Sequence, residues 1–308
     1  VERKVLIITG PTCSGKTYLS LKLAAYLGTE IISADSRQIY KYLNIGTAKP
    51  EPEQLRAAKH HFIDELLPDE EFNVSKFENE SVDIINNLHE RQKIPIVAGG
   101  TGLYIHALVN GIFSTVDTDE KYRDELMQKM EVYGKEYLYD ELKKVDPESA
   151  EKMLPQNWKR VMRALEVYHL TGEPIWKHQK EYSRENDFEF LLIGLNWNRE
   201  VLYQNIEQRV DEMIEKGLVE EVKNILGLGY NKDLNALNTV GYKEIIAFLE
   251  GECDLSRSIE LIKRNTRRFA KRQMTWFRRY EDITWFNINT PIELDTVHLK
   301  ILQLLKHQ

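Results

Sequence analysis

The chain has 308 residues, of which 42% are hydrophobic and 30% charged, enough for one large domain or two modest ones of a soluble globular protein. No apolar run is long enough to cross a bilayer, and the first residues lead straight into a strand, so neither a membrane anchor nor a signal peptide is expected. Cys13 and Cys253 are the only cysteines, which excludes a disulfide framework or a cysteine metal cluster and fits a reducing, cytoplasmic setting. A net charge of −7 argues weakly against a nucleic-acid partner, yet eight Lys or Arg and no Asp or Glu fall between Leu261 and Tyr280.

In chain order, Val5–Ile8 reads as a buried strand. It runs into Gly10-Pro11-Thr12-Cys13-Ser14-Gly15-Lys16-Thr17, and Leu19, Leu23 and Leu27 follow at helical spacing. Strand, glycine-bearing turn and helix is the setting in which G-x-x-x-x-G-K-[ST] forms a phosphate loop. Backbone N–H groups converge there, Lys16 supplies a full charge, and Thr17 offers a hydroxyl to Mg²⁺. Cys13 reads as a small filler residue. A second strand, Glu30–Ser33, ends at Asp35-Ser36-Arg37-Gln38. Strand carboxyl ends converge on the ligand crevice of a doubly wound sheet, which places Asp35 near the phosphate loop. Capping a helix is the plainer alternative for that side chain.

Residues 41–70 are loop-rich. Adjacent His60 and His61 point to different faces and lack a third ligand, so they do not read as a metal site. A helix over Val74–Glu90 follows, then a strand at Ile94–Val97 running into Gly99-Gly100-Thr101-Gly102, a second glycine turn that opens a helix. From residue 118 to 187 the texture is charged and helical. Thr118-Asp119 and Asp146-Pro147 supply caps, Asn157 is a candidate cap for a helix from Trp158, Gly172 is its stop, and 180–187 is a polar stretch. This is expected to be a helical insertion in an α/β core made of residues 1–117 and 188–308. Insertions of this kind serve as lids or docking arms. Arg160 and Arg163 share a face, and the pattern leaves both a solvated surface and a nucleic-acid contact open.

Phe188–Leu195 restores the strand pattern. Asn198 caps a long helix with Leu202, Ile206, Val210 and Met213 as its apolar stripe and Arg209 beside it. Two shorter helices end near Gly227 and span Val240–Leu249. The last, Leu255–Tyr280, carries Arg264, Arg267, Arg268, Lys271, Arg272, Arg278 and Arg279 around a packing stripe of Ile262, Phe269, Gln273 and Trp276. Without interleaved carboxylates it reads as a track for phosphates. Ile283–Phe286 is a final strand. The fold class is thus a P-loop NTPase-like, doubly wound parallel α/β sheet with a helical insertion and a helical C-terminal part. A small-molecule kinase fits the loop and Asp35 but leaves the basic helix unexplained. A nucleic-acid ATPase lacks a clear second magnesium element, Ile63-Asp64 being the nearest.

Taken together, the phosphate loop, Ser33–Tyr40, Ile45-Gly-Thr-Ala-Lys-Pro50, Gly99–Tyr104, Arg163–Val167, Val240-Gly-Tyr242 and Lys271–Trp276, in this order, resemble the bacterial tRNA dimethylallyltransferase (tRNA isopentenyltransferase) family over nearly the whole chain. The C-terminal zinc finger of some eukaryotic members has no counterpart, and Pro155-Gln-Asn157 lacks an Asp common among relatives. The resemblance implies an enzyme that transfers the dimethylallyl group of dimethylallyl diphosphate to N6 of adenosine 37 in tRNAs reading codons that begin with U; a monomer is expected, since the sequence shows no heptad seam or dimer stripe. The motif is that of ATP sites, yet the implied chemistry consumes no ATP. It assigns Lys16, Thr17 with Mg²⁺, and Arg209 to the departing diphosphate, and Asp35 as general base. Thr101 and Asp35–Gln38 would hold the extruded adenine. Arg123, Lys159, Arg160, Val161, Met162 and Arg163, then Gly241, Tyr242 and Lys243, then Lys271 and Arg272, would contact the tRNA.

Overall fold

A computed structural model describes residues 3–112, 116, 118–181 and 187–307. Two compact units are present, one made of Val1–Val109 and Asn186–Gln308, the other of Asn110–Glu185. The polar stretch read over 180–187 falls mostly outside the described residues, as does residue 117, the expected end of the first core segment.

The first unit opens with β1 (Lys4–Thr9), α1 (Lys16–Leu27), β2 (Ile31–Ala34), α2 (Pro52–Ala57), β3 (His60–His61), α3 (Val74–Glu90), β4 (Ile96–Gly99) and α4 (Gly102–Asn110). The second contributes α5 (Glu120–Tyr133), α6 (Lys135–Val145), α7 (Pro147–Glu151), a 3₁₀ turn at Pro155–Asn157, α8 (Trp158–Thr171) and α9 (Ile175–Glu181). The chain then returns through β5 (Glu189–Trp197), α10 (Arg199–Glu215), α11 (Leu218–Gly227), α12 (Tyr242–Leu249), α13 (Leu255–Phe277), β6 (Thr284–Ile288) and α14 (Glu293–His307).

The six strands form one parallel sheet in the order β3-β2-β4-β1-β5-β6. Successive side chains of a strand alternate faces, so a strand buried on both sides is apolar throughout. In β1, Val5 and Ile7 join the core under α3, α4, α11 and α12, while Leu6 and Ile8 join the opposite core with Leu19, Leu23, Leu202 and Ile301. Strands β2, β4 and β1 are neighbours, with Ala34 and Thr9 both in register with Gly99. Their carboxyl ends therefore deliver the Asp35 turn, the second glycine turn and the phosphate loop side by side.

Several local readings hold, with α3 beginning at Val74 on an Asn73 cap. Asp119, Asp146 and Asn198 cap their helices through side-chain oxygens, and Gly172 ends α8 in the left-handed region. Asn157 does not cap α8; its side chain instead accepts from the Leu154 N–H, closing the 3₁₀ turn before it. Helix α14 was not anticipated, although Leu294, Val297, Ile301 and Leu302 repeat at helical spacing and all four are buried. The His60–His61 pair forms a two-residue edge strand, and His61 Nε2 lies 2.8 Å from Glu30. No metal-binding group of three or more His, Cys, Asp or Glu occurs among the described residues. Among them, too, no helix is long and apolar enough to cross a membrane.

The second unit has its own core, built on Leu126, Leu138, Leu142, Val161, Leu165 and Ile175. Glu166 is fully buried at its centre. It accepts from the Asp119 N–H at 2.9 Å and pairs with Arg123 Nε at 2.8 Å and with Arg163. A buried carboxylate held by two guanidinium groups is costly to break from either side. We expect Glu166→Ala to destabilise this unit by about 3 kcal/mol, seen as an early urea transition that leaves the transition of the parallel-sheet unit in place.

Candidate active site

The loop after β1 wraps the head of Lys16. Its ammonium donates to the carbonyls of Gly10 and Pro11 at 3.0 and 2.6 Å. Backbone φ is positive at Gly10, Cys13 and Gly15, as a loop curling around one cation requires. Cys13 is buried and unpaired, in keeping with a filler role. Burial brings the Lys16 pKa down to about 8, and neighbouring Arg209 adds repulsion, opposed by the charges of Asp35 and Cys13.

Three distant elements brace this loop. The indole N–H of Trp197, at the end of β5, donates to the Ser14 carbonyl at 2.9 Å. Leu294 of α14 packs so closely that a Cβ on Gly15 would lie 2.5 Å from its methyl. Gln273 of α13 accepts from the Thr12 N–H at 2.8 Å and donates to the Gly100 carbonyl at 3.0 Å, tying the phosphate loop to the second glycine turn. That second turn uses glycine for close approach. A Cβ at Gly100 would sit 2.2 Å from Gln273, one at Gly102 2.3 Å from Trp276, and one at Gly99 2.1 Å from the Ala34 carbonyl. The sequence places Gln273 and Trp276 in a packing stripe and in the Lys271–Trp276 motif, with no role at the phosphate loop. A buried glutamine in an otherwise apolar stripe was the available signal.

The Asp35 turn lies beside these loops. Asp35 Oδ1 accepts from the Arg37 N–H at 2.9 Å and the Gln38 N–H at 3.4 Å. These bonds close a turn rather than cap a helix, and Oδ2 has no hydrogen-bond partner among the described residues. Thr101 Oγ1 accepts from the Ser36 N–H at 3.0 Å, and its own N–H donates to Ala34. Thr101 thus joins the β2 and β4 turns. Arg37 reaches Asn235 at 3.5 Å, and Gln38 Nε2 donates to the carbonyls of Thr47 and Ala48.

A cavity of about 800 Å³ opens on these elements, lined by Thr12 to Tyr18, Asp35, Gln38, Gly100, Arg209 and Gln273. Ile45, Leu55, Met213 and Phe269 give it an apolar side. Arg209 makes no hydrogen bond or ion pair among the described residues, so Lys16 and Arg209 present positive charge to a cavity whose lining also includes the carboxylates of Asp35, Glu51, Asp64 and Glu212, of which Glu51 and Asp64 pair with Lys216 and Lys49. Lys16 and Arg209 offer partners to an anion with several oxygens at the phosphate loop. Asp64, the nearest candidate for a second magnesium element, is instead paired with the buried Lys49, which also donates to the Tyr40 carbonyl and Asn44. Hard oxygens of Thr17 and Asp35 at one cavity fit a cation that binds through few side chains plus water and phosphate oxygens.

Several residues assigned to tRNA contact lie elsewhere. Val161 and Met162 are buried in the core of the second unit, because α8 turns that face inward. Gly241 and Tyr242 are buried as well, with only Lys243 exposed between them and buried Glu244. Arg123 and Arg163 serve first as partners of Glu166. Lys159 and Arg160 are exposed. On α13 the expectation of no acidic partner fails in part: Lys263 and Arg267 pair with Asp211 and Glu207 of α10, carboxylates invisible to an i,i+4 reading of one helix. Arg268, Lys271, Arg272 and Arg278 remain exposed without an ion pair among the described residues.

Residues 38–280 match the family described as IPP transferase. The chain is 49% identical over 306 residues to the tRNA dimethylallyltransferase of Acetivibrio thermocellus, covering 98% of this chain and 96% of that one. It is 48% identical over 285 residues to the enzyme of the same name from Thermotoga maritima, covering 92% of each. Among solved structures, the full-length tRNA isopentenylpyrophosphate transferase of Bacillus halodurans aligns over the whole of both chains, with a TM-score of 0.71 and 38% identity. A eukaryotic dimethylallyltransferase acting on tRNA aligns with a TM-score of 0.82 and 30% identity over 97% of this chain and 77% of that one. The chain belongs to the IPP transferase family of tRNA dimethylallyltransferases.

Proposed function

We propose that the protein transfers the dimethylallyl group of dimethylallyl diphosphate to N6 of adenosine 37 in tRNAs that read codons beginning with U, acting as a cytoplasmic monomer. The observation that carries the reading is the gathering of half-buried Lys16, unpaired Arg209 and Asp35 around one cavity with an apolar side. The diphosphate lies in the phosphate loop, and the five-carbon tail against Ile45, Met213 and Phe269. Adenine N6 is a poor nucleophile because its lone pair is delocalised into the ring. As the bond from N6 to carbon 1 forms, the bond from carbon 1 to the diphosphate oxygen breaks, and the electron pair leaves with that oxygen. Asp35 Oδ2 takes the N6 proton. Lys16, Arg209 and the loop N–H groups hold the growing charge of the leaving group, the largest contribution where carbon 1 itself tolerates positive charge. Thr17 would hold Mg²⁺, which would supply further charge neutralisation when bound.

The target base leaves its stack to reach Asp35. The Asp35–Gln38 turn and the Thr101 hydroxyl border its position, and exposed Lys159, Arg160, Lys243, Lys271 and Arg272 contact phosphates of the tRNA. A kinase reading leaves the exposed basic residues of α13 without a role.

Incubating the protein with unmodified tRNA, dimethylallyl diphosphate and Mg²⁺ is expected to yield N6-isopentenyladenosine by mass analysis of digested tRNA; ADP release from ATP without tRNA would support the kinase instead. Asp35→Asn keeps the oxygen that accepts from Arg37 but loses the base, so tRNA binding should persist while kcat falls about 10² to 10⁴-fold; an unchanged kcat would remove Asp35 from that role. Lys16 is held below its ordinary pKa, so its charge is present below about pH 8 and lost as pH rises through that value. Titration calorimetry should therefore show diphosphate affinity weakening above pH 8 by about tenfold per pH unit, beyond any trend seen with Lys16→Met.

A further inference from the structure

Apart from Ile45 against the five-carbon tail, two sequence motifs have no part in the chemistry above: Ile45-Gly-Thr-Ala-Lys-Pro50 and Val240-Gly-Tyr242. The fold brings them together over one carboxylate. Glu221 of α11 accepts from the N–H groups of Asn44 at 3.0 Å, Ile45 at 2.8 Å and Gly46 at 3.2 Å. Its fourth bond comes from the hydroxyl of Tyr242, 2.6 Å away. A carboxylate has about four acceptor sites, so this one is saturated, and each bond is charge-assisted. The Tyr242 ring is fully buried, and a Cβ on Gly46 would lie 2.3 Å from it, so ring and loop fit without slack.

The loop held in this way is a wall of the active-site cavity, to which Asn44, Ile45, Thr47 and Ala48 all contribute. It is gripped from the other side by Gln38, whose Nε2 donates to the carbonyls of Thr47 and Ala48. The backbone N–H of the same Gln38 donates to Asp35 Oδ1. A continuous run of hydrogen bonds thus leads from Tyr242 and Glu221 through the loop and Gln38 to the carboxylate that takes the proton. Neither Glu221 nor Tyr242 lines the cavity itself.

We propose that Glu221 and Tyr242 are positioning residues for the transfer reaction, a latch that fixes the 44–48 wall and through Gln38 the aim of Asp35. The inference rests on the function assigned to that cavity. It differs from a plain structural brace in what it alters: the loop and the aim of the base move, while the phosphate loop, braced separately by Gln273 and Trp197, stays in place.

The test uses the full chain with Glu221→Gln and Tyr242→Phe. Glu221→Gln replaces one acceptor oxygen by a donor, and Tyr242→Phe removes one bond while keeping the ring against Gly46. In hydrogen exchange, the amides of residues 44–46 should exchange about tenfold faster in Glu221→Gln, and less so in Tyr242→Phe, with the amides of the phosphate loop unchanged. With saturating tRNA and donor, kcat should fall about tenfold in Glu221→Gln, with inorganic diphosphate affinity unaltered. Should Glu221→Gln fail to fold, Tyr242→Phe carries both measurements. Unchanged exchange at 44–46, or faster exchange with kcat per folded molecule intact, would overturn the latch. Wild-type protein without transferase activity would overturn the functional reading instead, and the exchange data would still report on the latch.

Discussion

One half-buried cation governs this structure. Removing an ammonium from water is expensive, and Lys16 meets that cost with two carbonyls of its own loop and the charges of Asp35 and Cys13. Arg209 raises the cost further. Lys16 and Arg209 therefore repel one another at the phosphate loop, and an anion with several oxygens bound there relieves it. Binding of such an anion and departure of such an anion are served by the same arrangement, which suits a reaction whose product is a diphosphate.

Holding that arrangement falls to parts of the chain far from the loop. A phosphate loop needs its N–H groups aimed with small tolerance, and loops by themselves are mobile. Here β5, α13 and α14 supply an indole, a glutamine amide and a leucine that seat against the loop. Because Gln273 also takes Gly100, the loop after β1 and the turn after β4 share one partner on the helix that bears the exposed basic residues. Helix α13 thus packs its inner side into the site and shows Arg268, Lys271 and Arg272 on its outer side.

Charge on the helical surfaces divides in the same way. Some basic residues are spent on the fold: Arg123 and Arg163 on Glu166, and Lys263 and Arg267 on α10. Others have no acidic partner among the described residues and stand exposed. The net charge of −7 conceals this division, since association with a polyanion depends on where unpaired cations lie rather than on their sum.

Much of the fold was legible because its signals are local. An apolar run, a glycine turn and a helical stripe within some thirty residues define a phosphate loop, and caps such as Asp119, Asp146 and Asn198 act within three residues of themselves. What adjacency in sequence cannot carry is the choice of partner. Gln273 lies 261 residues from Thr12, Glu221 lies 175 to 177 from the amides it holds, and Glu166 lies 43 from Arg123. Val161, Met162 and Tyr242 stood in motifs associated with tRNA, yet packing buries them, because burial depends on which neighbour a helix face meets. The chain's own order of residues determined the phosphate loop, the carboxylate after β2 and the family. Tertiary structure alone decided which residues of those motifs touch the cavity and which hold it in shape, since a side chain's role follows from the atoms placed against it.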